Sequence, residues 1–143
     1  MADPITIRLS IPSKLTLVEL VDDVSERLGR MAGFSHGESL DLALAVREAV
    51  VNAIQHGNRR DPEKVVELAF EVGENLVRAR VRDHGEGFDP AKTPDPTQGK
   101  QVLEPFGRGI LLMRSIVDQV HFRHHKGGGM EVVLVKGKEP PAA

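Results

Sequence analysis

Residues 40–56, LDLALAVREAVVNAIQH, limit the fold more than any other stretch of the chain. Apolar residues recur at spacings of three and four, which predicts a helix, and Gly57 closes it. Leu40, Ala43, Leu44, Val46, Val50, Val51, Ala53 and Ile54 cover most of its circumference. A helix that is apolar on most sides must be packed on most sides. The chain therefore needs a second layer to hold this helix. Asp41, Ala45, Glu48, Asn52 and Gln55 form the remaining stripe. An unpaired buried carboxylate is costly, so the stripe must face water, a partner group or a ligand. One reading is a solvent-facing stripe on a packed helix. The other is a carboxylate and an amide held one turn apart on a pocket floor. There Asn52 can offer an oxygen to a hard cation such as magnesium, and Glu48 can accept a proton from a water or hydroxyl.

The second layer is written as strands. ITIRLSI (5–11) alternates apolar and polar residues, as a half-buried strand does. Pro12 and Ser13 end it, with Ser13 placed to cap a helix. In KLTLVELVDDVSERLGRMAG (14–33), Leu17, Leu20, Val21, Val24, Leu28 and Met31 recur at helical spacing, and Gly33 is a natural stop. KVVELAFEV (64–72) and NLVRARVRD (75–83) both alternate and read as a hairpin. A helical pattern resumes in GRGILLMRSIVDQV (107–120). HFRHH (121–125) and MEVVLVKG (130–137) then form a final strand pair around Gly127 to Gly129. This order predicts an α+β fold: a two-layer sandwich with a mixed, mostly antiparallel sheet and its helices on one face. Residues 1–138 are expected to form one domain, with 139–143 a frayed tail.

Composition narrows the function. A chain of 143 residues with 40% hydrophobic and 28% charged residues can build one ordinary core. It has no cysteine, which excludes disulfides, a thiol nucleophile and a cysteine-ligated metal. A formal charge of -2 without a basic run argues against direct nucleic-acid binding. No signal peptide and no run of about 20 apolar residues is present, so no membrane is expected and the cytoplasm is the expected location.

Two further motifs accompany the helix. RDHGEGFDP (82–90) puts Asp83 at a strand end, followed by Gly85 and Gly87. Such glycines let the backbone approach a ligand, and the Asp can accept from an exocyclic amine. By itself the motif reads as readily as a plain turn. FGRGILLM (106–113) puts Gly107 and Gly109 at a helix start, where free N–H groups and the dipole favour an anion, and Arg108 adds a charge suited to phosphate. A glycine-rich helix start is the plainer alternative. Between the motifs runs a long aperiodic stretch rich in Gly and Pro, of a kind usually functional or mobile.

Together, and in this order, the three motifs resemble the ATP-binding domain family shared by DNA gyrase, heat-shock chaperones, histidine kinases and mismatch-repair ATPases. This is the GHKL-type, or Bergerat, histidine-kinase-like ATPase. EAVVN looks like that family's Asn box, DHGEG its first glycine box and GRG its second. The resemblance covers residues 5–136. The texture of REAVVNAIQHGN, DHGEGFDP and GRGILLMRSIVDQV is most similar to the anti-sigma factor serine/threonine kinase branch.

The resemblance implies ATP and magnesium as cofactors. It makes Asn52 the magnesium ligand and Glu48 the catalytic carboxylate. It gives Asp83 the adenine amine, with Gly85 and Gly87 passing close to the base. Gly107, Arg108 and Gly109 would hold the phosphates beneath a lid at residues 90–106, where Lys92 and Lys100 also lie. It implies a protein serine/threonine kinase that phosphorylates a small antagonist protein and sequesters a sigma factor, and it leaves a homodimer open. No phosphorylatable-His hairpin, receiver or transducer domain accompanies the motifs, so the acceptor is expected on another protein. Two alternatives stand beside the kinase: a non-catalytic ATP/ADP-dependent binding switch, and a switch that activates another signalling enzyme. Met130 or Glu131 falls where relatives often carry a Thr that helps hold adenine, an expected weakening of nucleotide affinity. His56 is read as structural, and HFRHH as a polar strand face rather than a metal site.

Overall fold

The computed structural model describes residues 3–85 and 105–139. Its sheet has five strands in the order β1-β2-β3-β5-β4. These are β1 (Ile5–Pro12), β2 (Val65–Gly73), β3 (Leu76–Arg82), β4 (Gln119–His124) and β5 (Met130–Gly137). Every described pairing is antiparallel, so the mostly antiparallel sheet expected from sequence is wholly so here. Neighbours β1 and β2 are joined through two helices, α1 (Val18–Met31) and α2 (His36–Asn52). A third helix, α3 (Pro105–Ile116), precedes β4.

Strand alternation decides which side is covered. Val66, Leu68, Phe70 and Val72 of β2, Val77, Ala79 and Val81 of β3, and Val132 and Leu134 of β5 are buried. They pack against Val18, Val21 and Leu28 of α1, Leu42, Val46, Ala49 and Val50 of α2, and Ile110 and Met113 of α3. Residues between them on the strands, such as Arg8, Glu67, Arg78, Arg82 and Glu131, point to the sheet's other face, where no described helix lies.

Several boundaries differ from the expectation, each for a local reason. α2 begins at His36 rather than Leu40, because Ser35 caps it. Ser35 Oγ accepts from the Glu38 N–H at 3.1 Å, while Glu38 Oε1 accepts from the Ser35 N–H at 2.9 Å. Ser13 is not a cap. Its hydroxyl donates to the Lys64 carbonyl at 2.6 Å and accepts from Asn58 Nδ2 at 2.9 Å, and a 3-10 turn (Leu15–Leu17) leads into α1 instead. α2 ends at Asn52 and continues as a π-helical turn, Ala53–Gly57, closed by the Asn58 N–H on the Ala53 carbonyl at 2.7 Å. α3 starts at Pro105 and stops at Ile116, four residues before the expected end. The Asp118 N–H there bonds the Val135 carbonyl at 2.9 Å, so sheet pairing captures the chain. Leu20 and Met31, expected on the packed stripe of α1, are 47% and 48% exposed. Glu139, the first residue of the expected tail, donates its N–H to Glu38 Oε2.

Candidate functional site

The polar stripe of α2 faces neither open water nor bare core. Glu48 and Asn52, one turn apart, are half-buried, and α3 lies across them at Gly109. A Cβ at Gly109 would stand 2.9 Å from Glu48 Oε2 and 3.4 Å from Asn52 Nδ2. Only glycine lets the two helices approach this closely. The side of α2 open to solvent carries Leu40, Leu44 and Arg47, of which Leu40 and Leu44 were expected to be packed. Arg47 holds Asp22 of α1 at 3.1 Å on that side.

Asp83 is 4% exposed at the end of β3. Its Oδ1 accepts from the N–H groups of Gly85 at 3.0 Å and Met130 at 3.2 Å. The Asp83 N–H in turn bonds the Met130 carbonyl at 3.0 Å. Oδ2 takes no hydrogen bond from the described residues, and it lies against Gly57. A Cβ on Gly57 would overlap that carboxylate, and one on Gly85 would overlap the Gly57 carbonyl. The π-helical turn is what swings Gly57 onto Asp83, and such turns concentrate at functional sites. The carboxylate is thus held through Oδ1 by two backbone donors, and Oδ2 has no donor among the described residues. Met130 rather than Glu131 stands beside it, while Glu131 turns to the other face.

Sequence reasoning read Gly57 only as a helix stop and passed over Asn58. Asn58 is 1% exposed. Its Nδ2 donates to Ser13 Oγ and, at 3.0 Å, to the Val65 carbonyl, and its Oδ1 accepts from the His84 N–H at 2.7 Å. It pins the residue after Asp83 to the starts of two other segments. The one available signal was an Asn directly after the helix-ending glycine.

Gly107 is the third residue of α3, within the first turn whose N–H groups have no partner inside the helix, and Arg108 beside it is exposed. Gly109 is the fifth, and its lack of a side chain permits the close approach of Glu48 and Asn52. Gly87, Lys92, Lys100 and nearly all of the lid expected at residues 90–106 lie outside the described residues. His56 is exposed beyond Gln55. His121 bonds Gln119 at 3.0 Å on β4, while His125 approaches Glu131 at 3.7 Å. No group of three His, Cys, Asp or Glu able to hold a metal occurs among the described residues.

Residues 11–136 match the model of the histidine kinase-like ATPase domain. The chain belongs to that family. It is 29% identical to "Serine-protein kinase RsbW" of Bacillus subtilis (strain 168) over 85% of this chain and 79% of that protein. It is 34% identical to "Anti-sigma F factor" of Anoxybacillus flavithermus over 69% of each. Among solved structures, the RsbU and RsbW domains of Rv1364c from Mycobacterium tuberculosis superpose with a TM-score of 0.68 at 20% identity. That alignment covers 96% of this chain and 34% of the longer one, and it speaks for the fold alone. Among the described residues no helix is long and apolar enough to cross a membrane.

The donor set fits the family's ligands. The amide oxygen of Asn52 is a hard oxygen donor of the kind magnesium takes, and Glu48 one turn away would remain able to accept a proton. Asp83 Oδ2, which has no hydrogen bond from the described residues and lies against the Gly57 backbone, would fit an exocyclic amine.

Proposed function

We infer that this protein is an ATP-dependent serine/threonine protein kinase. It transfers the γ-phosphoryl group to a small antagonist protein and acts as an anti-sigma factor. The observation that carries the reading is the packing of Glu48 and Asn52 against Gly109 of α3, with Asp83 lying against Gly57 at the end of the π-helical turn that follows α2. The names of the relatives support it: proteins matched over most of their length are called serine-protein kinases and an anti-sigma factor. They do not favour the non-catalytic switch.

In this reading Asp83 takes the adenine amine, with Gly85 and Gly87 beside the base. The free N–H groups of α3's first turn and Arg108 take phosphate oxygens. Asn52 would hold magnesium, which would supply charge neutralisation at the phosphates. Glu48 orients the acceptor Ser or Thr hydroxyl and takes its proton. The hydroxyl oxygen bonds the γ-phosphorus as the bond to the β–γ bridging oxygen breaks, leaving phosphoprotein and ADP. Residues 90–106 cover the bound nucleotide within a single-domain unit of residues 1–138. The protein works in the cytoplasm. A homodimer would use β1, an edge strand, and the helix after it.

Incubating the protein with radiolabelled ATP, magnesium and candidate antagonists tests this. Label should appear on a serine of one antagonist, and the unmodified antagonist should compete with a sigma factor for the protein. Nucleotide-dependent binding to a verified antagonist without any label on it would sink the kinase assignment.

A further inference from the structure

The sheet face on which no described helix lies holds a cavity apart from the site above. Register sets Arg8, Ala69, Arg80 and Val133 side by side in one row, and Ser10, Glu67, Arg82 and Glu131 in the next. Ala69 is short and stands between two arginines, so the surface sinks there. The resulting cavity is about 440 Å³ and is lined by Arg8, Ser10, Glu67, Arg80, Arg82 and Glu131 over a floor at Ala69. Small-molecule sites commonly span ~300–1,000 Å³.

Its charges are unevenly matched. Glu67 Oε2 is 3.0 Å from His84 Nε2, Glu131 lies 3.7 Å from both Arg123 and His125, and Arg80 meets Glu71 at 3.3 Å. Arg8 and Arg82 form no ion pair with any described residue. The Nε–H groups of Arg80 and Arg82 are shut off from water and have no acceptor among the described residues. Those Nε–H groups are as inaccessible to a ligand as to water, but the terminal Nη groups of guanidinium forks match oxyanions in shape as well as charge. Glu67 and Glu131 at the same rim would repel a bare polyanion but would accept from hydroxyl groups.

We propose that this cavity is a second ligand site, which takes a small phosphorylated polyol. The phosphate sits among Arg8, Arg80 and Arg82, and the hydroxyls meet Glu67 and Glu131. It is separate from the nucleotide site, because Arg82 and its successor Asp83 serve opposite faces of the sheet.

Titrating the ¹⁵N-labelled full chain with glycerol 3-phosphate, and separately with inorganic phosphate, tests the proposal by backbone-amide shifts. Saturable shifts are expected at residues 8–10, 67–69, 80–82 and 131, with glycerol 3-phosphate bound several-fold more tightly. The Arg8→Gln/Arg82→Gln double variant should weaken binding at least tenfold with its other amide signals in place. Arg8→Gln alone, on an exposed edge-strand residue that threatens no core packing, should weaken it several-fold. Shifts that never saturate, or that match sodium chloride at equal ionic strength, would overturn the site. So would shifts confined to the start of α3, or unchanged affinity in Arg8→Gln. Equal affinity for inorganic phosphate would overturn the polyol assignment.

Discussion

Glu48 and Gly109 meet where two helices touch, and each is open to a separate test. Glu48→Gln keeps shape and volume but cannot take a proton. Loss of a positioned base typically costs about 10²–10⁴-fold in rate, so phosphotransfer should fall by that order while ATP affinity, read by calorimetry, stays near wild type. Gly109→Ala tests placement instead. The new methyl would stand 2.9 Å from Glu48 Oε2 and must push that carboxylate aside. Misplacing a catalytic group by about 1 Å can cost about 10²-fold. Single-turnover transfer should fall by that order in Gly109→Ala, and an unchanged rate would mean that the contact has no catalytic consequence. At this scale the sequence marked side chains that the fold places beside glycines at element ends and helix contacts. Glu48, Asn52 and Asp83 stand out because polar groups in apolar or glycine-flanked settings need partners. Gly57 and Asn58 were not legible, since their importance comes from a strand end 26 residues away from Asn58.

The start of α2 shows how much a single element can owe to its cap. Ser35 and Glu38 satisfy each other's backbone N–H groups, and Glu38 also receives the Glu139 N–H at 2.6 Å. The Ser35 and Glu139 backbone donors hold the Glu38 carboxyl below its usual range, against a small opposing effect of burial. Its folded pKa is lowered, so its stabilisation is present above the ordinary glutamate value and is lost as pH falls through the folded value. Urea midpoints of wild type and Glu38→Gln should differ at neutral pH and converge in acid below that folded value. Ser35→Ala should cost about 1 kcal/mol by the same measurement at neutral pH. The spacing Ser-x-x-Glu at residues 35–38 was a readable capping signal. It was obscured because His36 and Gly37 interrupt the apolar period used to place the helix start. The end of α2 was less readable. Its π-helical turn is fixed by what Gly57 and Asn58 must reach, not by local preference.

For the whole molecule, Asn58 joins segments that are distant in sequence. It ties the turn after β1 to the start of β2 and to the residue after β3. Asn58→Ala would remove three hydrogen bonds and leave buried partners unpaired, a loss of about 3 kcal/mol given about 1 kcal/mol for each. Thermal melting should show that loss. Hydrogen exchange should show faster opening at Asp83 and Gly85 than at Ala79, in the middle of the sheet. Uniform weakening across the sheet would mean that Asn58 only adds stability and does not hold the strand end at Asp83 in place.

Hydrophobic period by itself determined the element types, the antiparallel hairpins and the two-layer arrangement, because period two and period 3.6 bury different faces whatever the neighbours are. The order of the motifs also identified the family. Tertiary structure decided the rest. It set α3 across the polar stripe of α2, so that Glu48 and Asn52 face a glycine rather than water. It turned Leu40 and Leu44 to solvent, although their spacing marks them for the core. It chose Met130 over Glu131 as the neighbour of Asp83, through strand register. A helix pattern records which residues are apolar, but not which side the next element will cover. That choice is made by contacts between residues far apart in the chain, and no local window contains them.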